Sequence, residues 1–168
     1  MKLKVCALAF CALVLASACT VSYKFNGASI DYTKTKSIAI TDFPNNAALV
    51  YTPLTILLND ELKNIYASQT RLKILNSGGD MELEGAITGY TLTPLSVGSD
   101  ALASETQITL TVKIRFSNNV TDETVESSFT SNRTFETTYT LEDVQDTLIE
   151  EMVDEIVDQI FNATVANW

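Results

Sequence analysis

The alternation between Thr106 and Phe116 is the clearest pattern in the chain. Ile108, Leu110, Val112, Ile114 and Phe116 alternate with Gln107, Thr109, Thr111, Lys113 and Arg115. A period of two with one apolar and one polar side predicts an antiparallel strand covered on a single face. Asn118-Asn119 then begins a turn, and Thr124 to Thr137 returns with Val125, Phe129 and Phe135 on one face. Arg133 shares that parity, so either the strand bulges there or Arg133 lies at the rim of the sheet.

Upstream, Ser37 to Asp42 and Arg71 to Leu75 read as short strands, the first with Ile38 and Ile40 on one side. The cluster Asn76-Ser77-Gly78-Gly79-Asp80 is a turn leading into a strand with Met81, Leu83 and Ile87 on one side. Past Gly89 the apolar positions become Tyr90 and Leu92, a one-residue slip that predicts a bulge at Gly89. Pro94 to Ala103 is expected to be a loop.

Two segments carry helical periods. Thr52-Pro53 is expected to open the first, with Thr52 as N-cap and Pro53 at the first helical position. Leu54, Leu57, Leu58, Leu62 and Ile65 follow at three- and four-residue steps. The second starts at the cap Thr140, with Asp143 in the capping-box position and Tyr139 and Val144 at the spacing of a hydrophobic staple. It runs to about Thr164, roughly 35 Å at 1.5 Å per residue. Val144, Leu148, Met152, Ile156 and Ile160 form one apolar row, and Ile149, Val153, Val157 and Phe161 the next. The pattern as a whole predicts an α+β two-layer sandwich. Two helices would pack on one face of a mixed, mostly antiparallel sheet of four to five strands.

The amino terminus changes the picture. Basic Met1-Lys2-Leu3-Lys4 precedes an apolar run from Val5 to Leu15, and Leu15-Ala16-Ser17-Ala18-Cys19 follows. That run is shorter than the about 20 residues a membrane span requires. It reads as a secretory signal, and the cysteine after small residues makes it resemble a bacterial lipobox. That resemblance implies cleavage before Cys19 and acylation of Cys19, with Ala16 standing where the pattern prefers leucine. A plain signal peptide with an incidental cysteine is the alternative. Thr20, Val21 and Ser22 bear no acidic retention or surface signal, so the resemblance implies an outer-membrane, periplasm-facing lipoprotein. The expected organisation is a signal at 1–18, a lipidated tether and lead-in at 19–36, and one sandwich domain at 37–168. Tyr23, Phe25, Ile30 and Tyr32 predict that part of the lead-in docks on the domain.

The formal charge is −10, and the leader holds Lys2 and Lys4 but no acid, so the chain from Cys19 carries −12. This excess disfavours nucleic acid, whose affinity comes from Lys and Arg against phosphates, and favours a basic protein partner. Cys6 and Cys11 lie in the leader, and the chain has no histidine. Intrachain disulfides, cysteine nucleophiles, thiolate zinc sites and histidine general bases are thereby removed from the mature protein. No nucleophile elbow, P-loop, dinucleotide fingerprint or zinc motif occurs, so neither enzyme nor cofactor nor metal is expected.

Two constellations remain. Glu142, Asp146, Glu150, Asp154 and Asp158 form a four-step row along the last helix, each repulsion costing about 0.2–0.5 kcal/mol. The row is either a solvated face or a docking face for a basic partner. Lys113, Arg115 and Arg133 are the basic grouping on the sheet, open either to cross-strand pairing with Glu126 or Glu136 or to an anionic ligand.

With a lipobox before a strand, a helix, several strands and a long closing helix, the chain resembles the LptE family of lipopolysaccharide-assembly lipoproteins. The stretches that carry the resemblance are Ala103 to Lys113, Asn132-Arg133-Thr134-Phe135 and Leu141-Glu142-Asp143-Val144-Gln145-Asp146. The opening Ser22 to Ile30 looks like the Bacteroidota branch. The resemblance implies a non-enzymatic plug inside the outer-membrane barrel LptD, an assembly partner of that barrel, and contact with lipopolysaccharide. Leu95 to Ala103 holds only Asp100, and Leu141 to Asp146 is acidic, where better-known members carry basic residues. Two other readings fit the same residues: a general envelope-assembly adaptor lipoprotein, or a lipoprotein hydrolase.

Overall fold

The computed structural model describes residues 30–96 and 103–166. Cys19, the leader, Tyr23 and Phe25 lie outside the described residues. In chain order the elements are β1 (Ser37–Ile40), α1 (Thr52–Gln69), β2 (Lys73–Leu75), β3 (Met81–Ser96), β4 (Ala103–Asn118), β5 (Glu123–Glu136) and α2 (Leu141–Phe161), ending in a π-helical turn, Asn162–Ala166. The strands form one sheet in the order β2-β1-β3-β4-β5. β1 lies parallel to both β2 and β3, over three residue pairs each. β3–β4–β5 is antiparallel and pairs over most of its length, so the sheet is mixed and mostly antiparallel. Both helices cover one face, giving the α+β sandwich that the periodicities predict.

β4 is the backbone of the core. Ile108, Leu110, Val112, Ile114 and Phe116 are all buried under the helices, while Lys113 and Arg115 stand on the open face. From above, α1 contributes Leu54, Leu58, Leu62 and Tyr66, with Leu57 and Ile65 half-buried at the flank. Tyr66 is the member the leucine stripe does not announce. Its ring meets Phe161 edge-on at 5.2 Å, and its hydroxyl bonds Thr164. Burial pushes that hydroxyl well above the ordinary tyrosine range, so it stays neutral and a hydrogen-bonding group. α2 adds Ile149, Met152, Val153, Ile156, Val157 and Ile160.

The Asp143 carboxylate accepts the Thr140 backbone N–H at 3.0 Å and its hydroxyl at 2.7 Å, closing the expected capping box. Tyr139, however, is 57% exposed and does not form a buried staple with Val144. The first helix also starts one residue earlier than expected. Tyr51 is its N-cap, with extended backbone and no side-chain cap bond, and Thr52 is already helical. Tyr51 instead donates its hydroxyl to Asp146 of α2, a contact between the start of one helix and the first turns of the other.

Two further expectations change. The segment from Pro94 is not loop until Ala103: β3 continues to Ser96, and Pro94 and Leu95 pair with Thr106 and Glu105. Proline is tolerated there because β1 pairs only with Met81–Leu83, leaving the far half of β3 an edge on that side. The register passes from Ile87↔Val112 to Gly89↔Thr111, so the bulge residue is Thr88, beside the expected Gly89. At the other end, Ile30 packs on the core and Thr35 is buried, so the described part of the lead-in, from Ile30, docks. Arg71 stands over the Tyr32 ring at 6.0 Å.

Candidate functional site

The sheet separates the three cations that share the basic grouping. Lys113 and Arg115 project from the open face, at alternate positions of β4. Lys113 Nζ lies 3.6 Å from Glu126 Oε2, a diagonal pair across to β5, since Lys113 is in register with Ser128. Both partners are largely exposed, so the pair contributes little stability. Arg115 sits in register between Glu84 on β3 and Glu126 on β5. The shallow depression around it is lined by Glu82, Glu84, Asp122 and Glu123 as well. With Glu126, five carboxylates around one guanidinium make this end of the open face acidic.

Arg133 is on the opposite face. The β4–β5 register is unbroken from Glu105↔Glu136 to Asn118↔Glu123, so no bulge turns Arg133 outward. It lies at the rim, beneath α2, where its Nε donates to Glu151 Oε2 at 3.0 Å and its Nη1 to Glu155 Oε2 at 2.9 Å. Ser131 is buried beside it and donates its hydroxyl to the same Glu155 oxygen at 2.6 Å. The Ser131 hydroxyl first, and Arg133 second, hold the Glu155 carboxyl below the usual glutamate range. Arg133 therefore fastens α2 to the outer strand, with its side chain still 30% exposed. Its odd parity in the sequence was the signal; the partners on α2 were not readable.

The acids of α2 divide the same way. Asp143 closes the cap, and Glu151 and Glu155 bind Arg133. Glu142, Asp146, Glu150, Asp154 and Asp158 are all exposed along the outer surface. Of these, Asp146 accepts the Tyr51 hydroxyl, which raises the Tyr51 pKa. Asp154 and Asp158 face α1 across a groove whose other wall is Glu61, Asn64, Ser68 and Gln69, with Ile65 and Val157 at its floor. Among the described residues no group of three or more potential ligands is placed to hold a metal ion. No described helix is long and apolar enough to cross a membrane.

Residues 35–164 match the family described as LptE: Lipopolysaccharide-assembly. This chain belongs to that family. The match begins at the buried Thr35 and ends at Thr164, the partner of Tyr66, so it takes in the sheet and both helices. The fold agrees. Rare lipoprotein B from Shewanella oneidensis superposes with a TM-score of 0.55 at 16% identity, covering 76% of this chain and 92% of that one. Lipoprotein B from Nitrosomonas europaea gives 0.54 at 16% identity, covering 75% and 79%. At such identities the likeness is one of fold. No curated protein matches the sequence. Members of the LptE family are lipopolysaccharide-assembly lipoproteins without enzymatic activity, and this chain carries that role at the level of the family.

Proposed function

We propose that this LptE-family chain is an outer-membrane lipoprotein, facing the periplasm and anchored through Cys19. It serves as plug and assembly partner of an LptD-type barrel in lipopolysaccharide transport to the cell surface. The family match across residues 35–164 carries the proposal. The proposed organisation is the leader at 1–18, the lipidated tether and lead-in at 19–36, and the sandwich at 37–168.

For partner contact we assign the row Glu142, Asp146, Glu150, Asp154 and Asp158, which is exposed and carries no described ion pair. The chain from Cys19, of formal charge −12, fits a lumen whose contacting surface is basic. Lys113, Arg115 and Arg133 are the candidates for lipopolysaccharide contact, and the carboxylates beside them make that contact secondary to the plug role.

The test is purification of the tagged full-length protein from detergent-solubilised outer membrane. A large barrel in stoichiometric amount is the expected companion. Recovery of small envelope proteins instead would move the chain to the general adaptor reading. Cys19→Ser should abolish lipid labelling and leave an unprocessed or soluble product. Membrane anchoring that persists without lipid label would remove the basis for localisation.

A further inference from the structure

β5 is the outermost strand of the sheet, and it is neither short, nor bulged, nor broken by proline. The opposite edge, β2, is three residues long. The free side of β3 is broken by the bulge at Thr88 and by Pro94, and the segment around Pro44, Asn45 and Asn46 bonds to Ile87 along it. Short strands, bulges and proline are the usual protections of a sheet edge. β5, by contrast, runs 14 residues in unbroken register with β4, without proline, glycine or lysine. In an antiparallel edge strand, alternate residues direct both N–H and C=O outward. An inward-pointing charge is a further protection, and Arg133 is one, but Glu151 and Glu155 already neutralise it.

The side chains next to this edge indicate what fits it. On the helix side Val125 is 37% exposed, and Phe129 and Phe135 are only half-buried although they pack on the core. A neighbouring strand would place its own side chains directly opposite these, in cross-strand contact. On the open side stand Glu126 and Glu136 among hydroxyl and amide residues, and Glu126 already shares Lys113. A second copy would bring the same carboxylates and another formal charge of −12 to the contact, so self-pairing is disfavoured.

We infer that the outer edge of β5 is a docking strand. It takes up an extended segment of the barrel partner by main-chain pairing, that segment being apolar toward the helices and basic toward the open face. The inference rests on the plug reading and adds to it where on this chain the barrel's backbone attaches.

Amide hydrogen exchange on the full-length protein, alone and co-purified with its barrel in detergent, tests it. Alone, alternate amides between Glu123 and Glu136 should exchange quickly; in the complex they should slow by about tenfold or more, in the same alternation. A benzophenone side chain placed at Thr130 or Asn132 should cross-link to the barrel. A stoichiometric barrel complex in which those amides stay fast overturns the docking strand and leaves the plug reading standing. Protection that grows with concentration in the isolated protein overturns it in favour of self-pairing. Failure of any barrel to co-purify brings down the plug reading and this inference together.

Discussion

Asp80 and Ser37 hold each other in both directions. The Ser37 backbone N–H and hydroxyl donate to Asp80 Oδ2 at 3.1 and 2.9 Å, and the Asp80 N–H donates back to Ser37 Oγ at 3.1 Å. The Lys36 N–H reaches the same carboxylate oxygen at 2.8 Å. This latch joins the start of β1 to the start of β3, where a short parallel strand has few ladder bonds of its own. These bonds, the Lys36 N–H first, hold the Asp80 carboxyl below the usual aspartate range.

The pH dependence follows from that direction. A carboxyl lowered in the folded state contributes stability that is complete above its unfolded value of about 3.9 and is lost as pH falls through its folded value. Asp80→Ala should lower the urea midpoint at neutral pH and flatten the acid limb of stability against pH. An unchanged acid limb in the variant would show that other carboxylates carry that transition.

Gly85 lies under the ring of Phe43. A Cβ at this position would stand 2.3 Å from Phe43 Cε1 and 2.5 Å from the Lys113 carbonyl oxygen, so neither a methyl group nor a larger side chain fits. Gly85→Ala should cost about 1–3 kcal/mol by overpacking. In urea unfolding, Phe43→Leu should relieve part of that cost, giving a double variant more stable than the sum of the singles predicts. Strict additivity would place the clash with the backbone of β4 alone.

Leu110 and Thr109 are neighbours on opposite faces of β4. Leu110 is fully buried, and Leu110→Ala should cost about 2–5 kcal/mol. The Thr109 hydroxyl donates to Asn132 Oδ1 at 2.7 Å on the open face, and Thr109→Ala should cost about 1 kcal/mol or less. Equal costs in denaturant titrations would contradict the assignment of the two faces.

Glu150 and Asp154 are successive members of the exposed row on α2. Reversing both to lysine removes four-step repulsions worth about 0.2–0.5 kcal/mol each, so the domain alone should melt no lower than before. Binding to the barrel should weaken by about tenfold at low salt and less at higher salt. Unaltered assembly at both salt levels would make the row a solvated face.

The elements whose signal is local could be read along the chain. The alternation of Ile108 to Phe116 set β4 and its buried side, and two apolar rows set the inward face of α2. Thr140 and Asp143 marked that helix's start within one turn of chain. Periodicity records which face of an element leaves water, because burial repeats with the period of the backbone. It holds no record of which elements meet.

Which elements meet was settled by their packing. The order β2-β1-β3-β4-β5 sets a short parallel strand beside a long hairpin. Because β1 stops at Ile40, Pro94 can sit in a strand where local signals read a loop. Asp80 finds Ser37 across 43 residues, and Arg133, an oddity of parity in the chain, finds Glu151 and Glu155 on α2. Such contacts form between residues distant in sequence, which come within hydrogen-bonding reach only once strand pairing and helix packing have set their elements side by side.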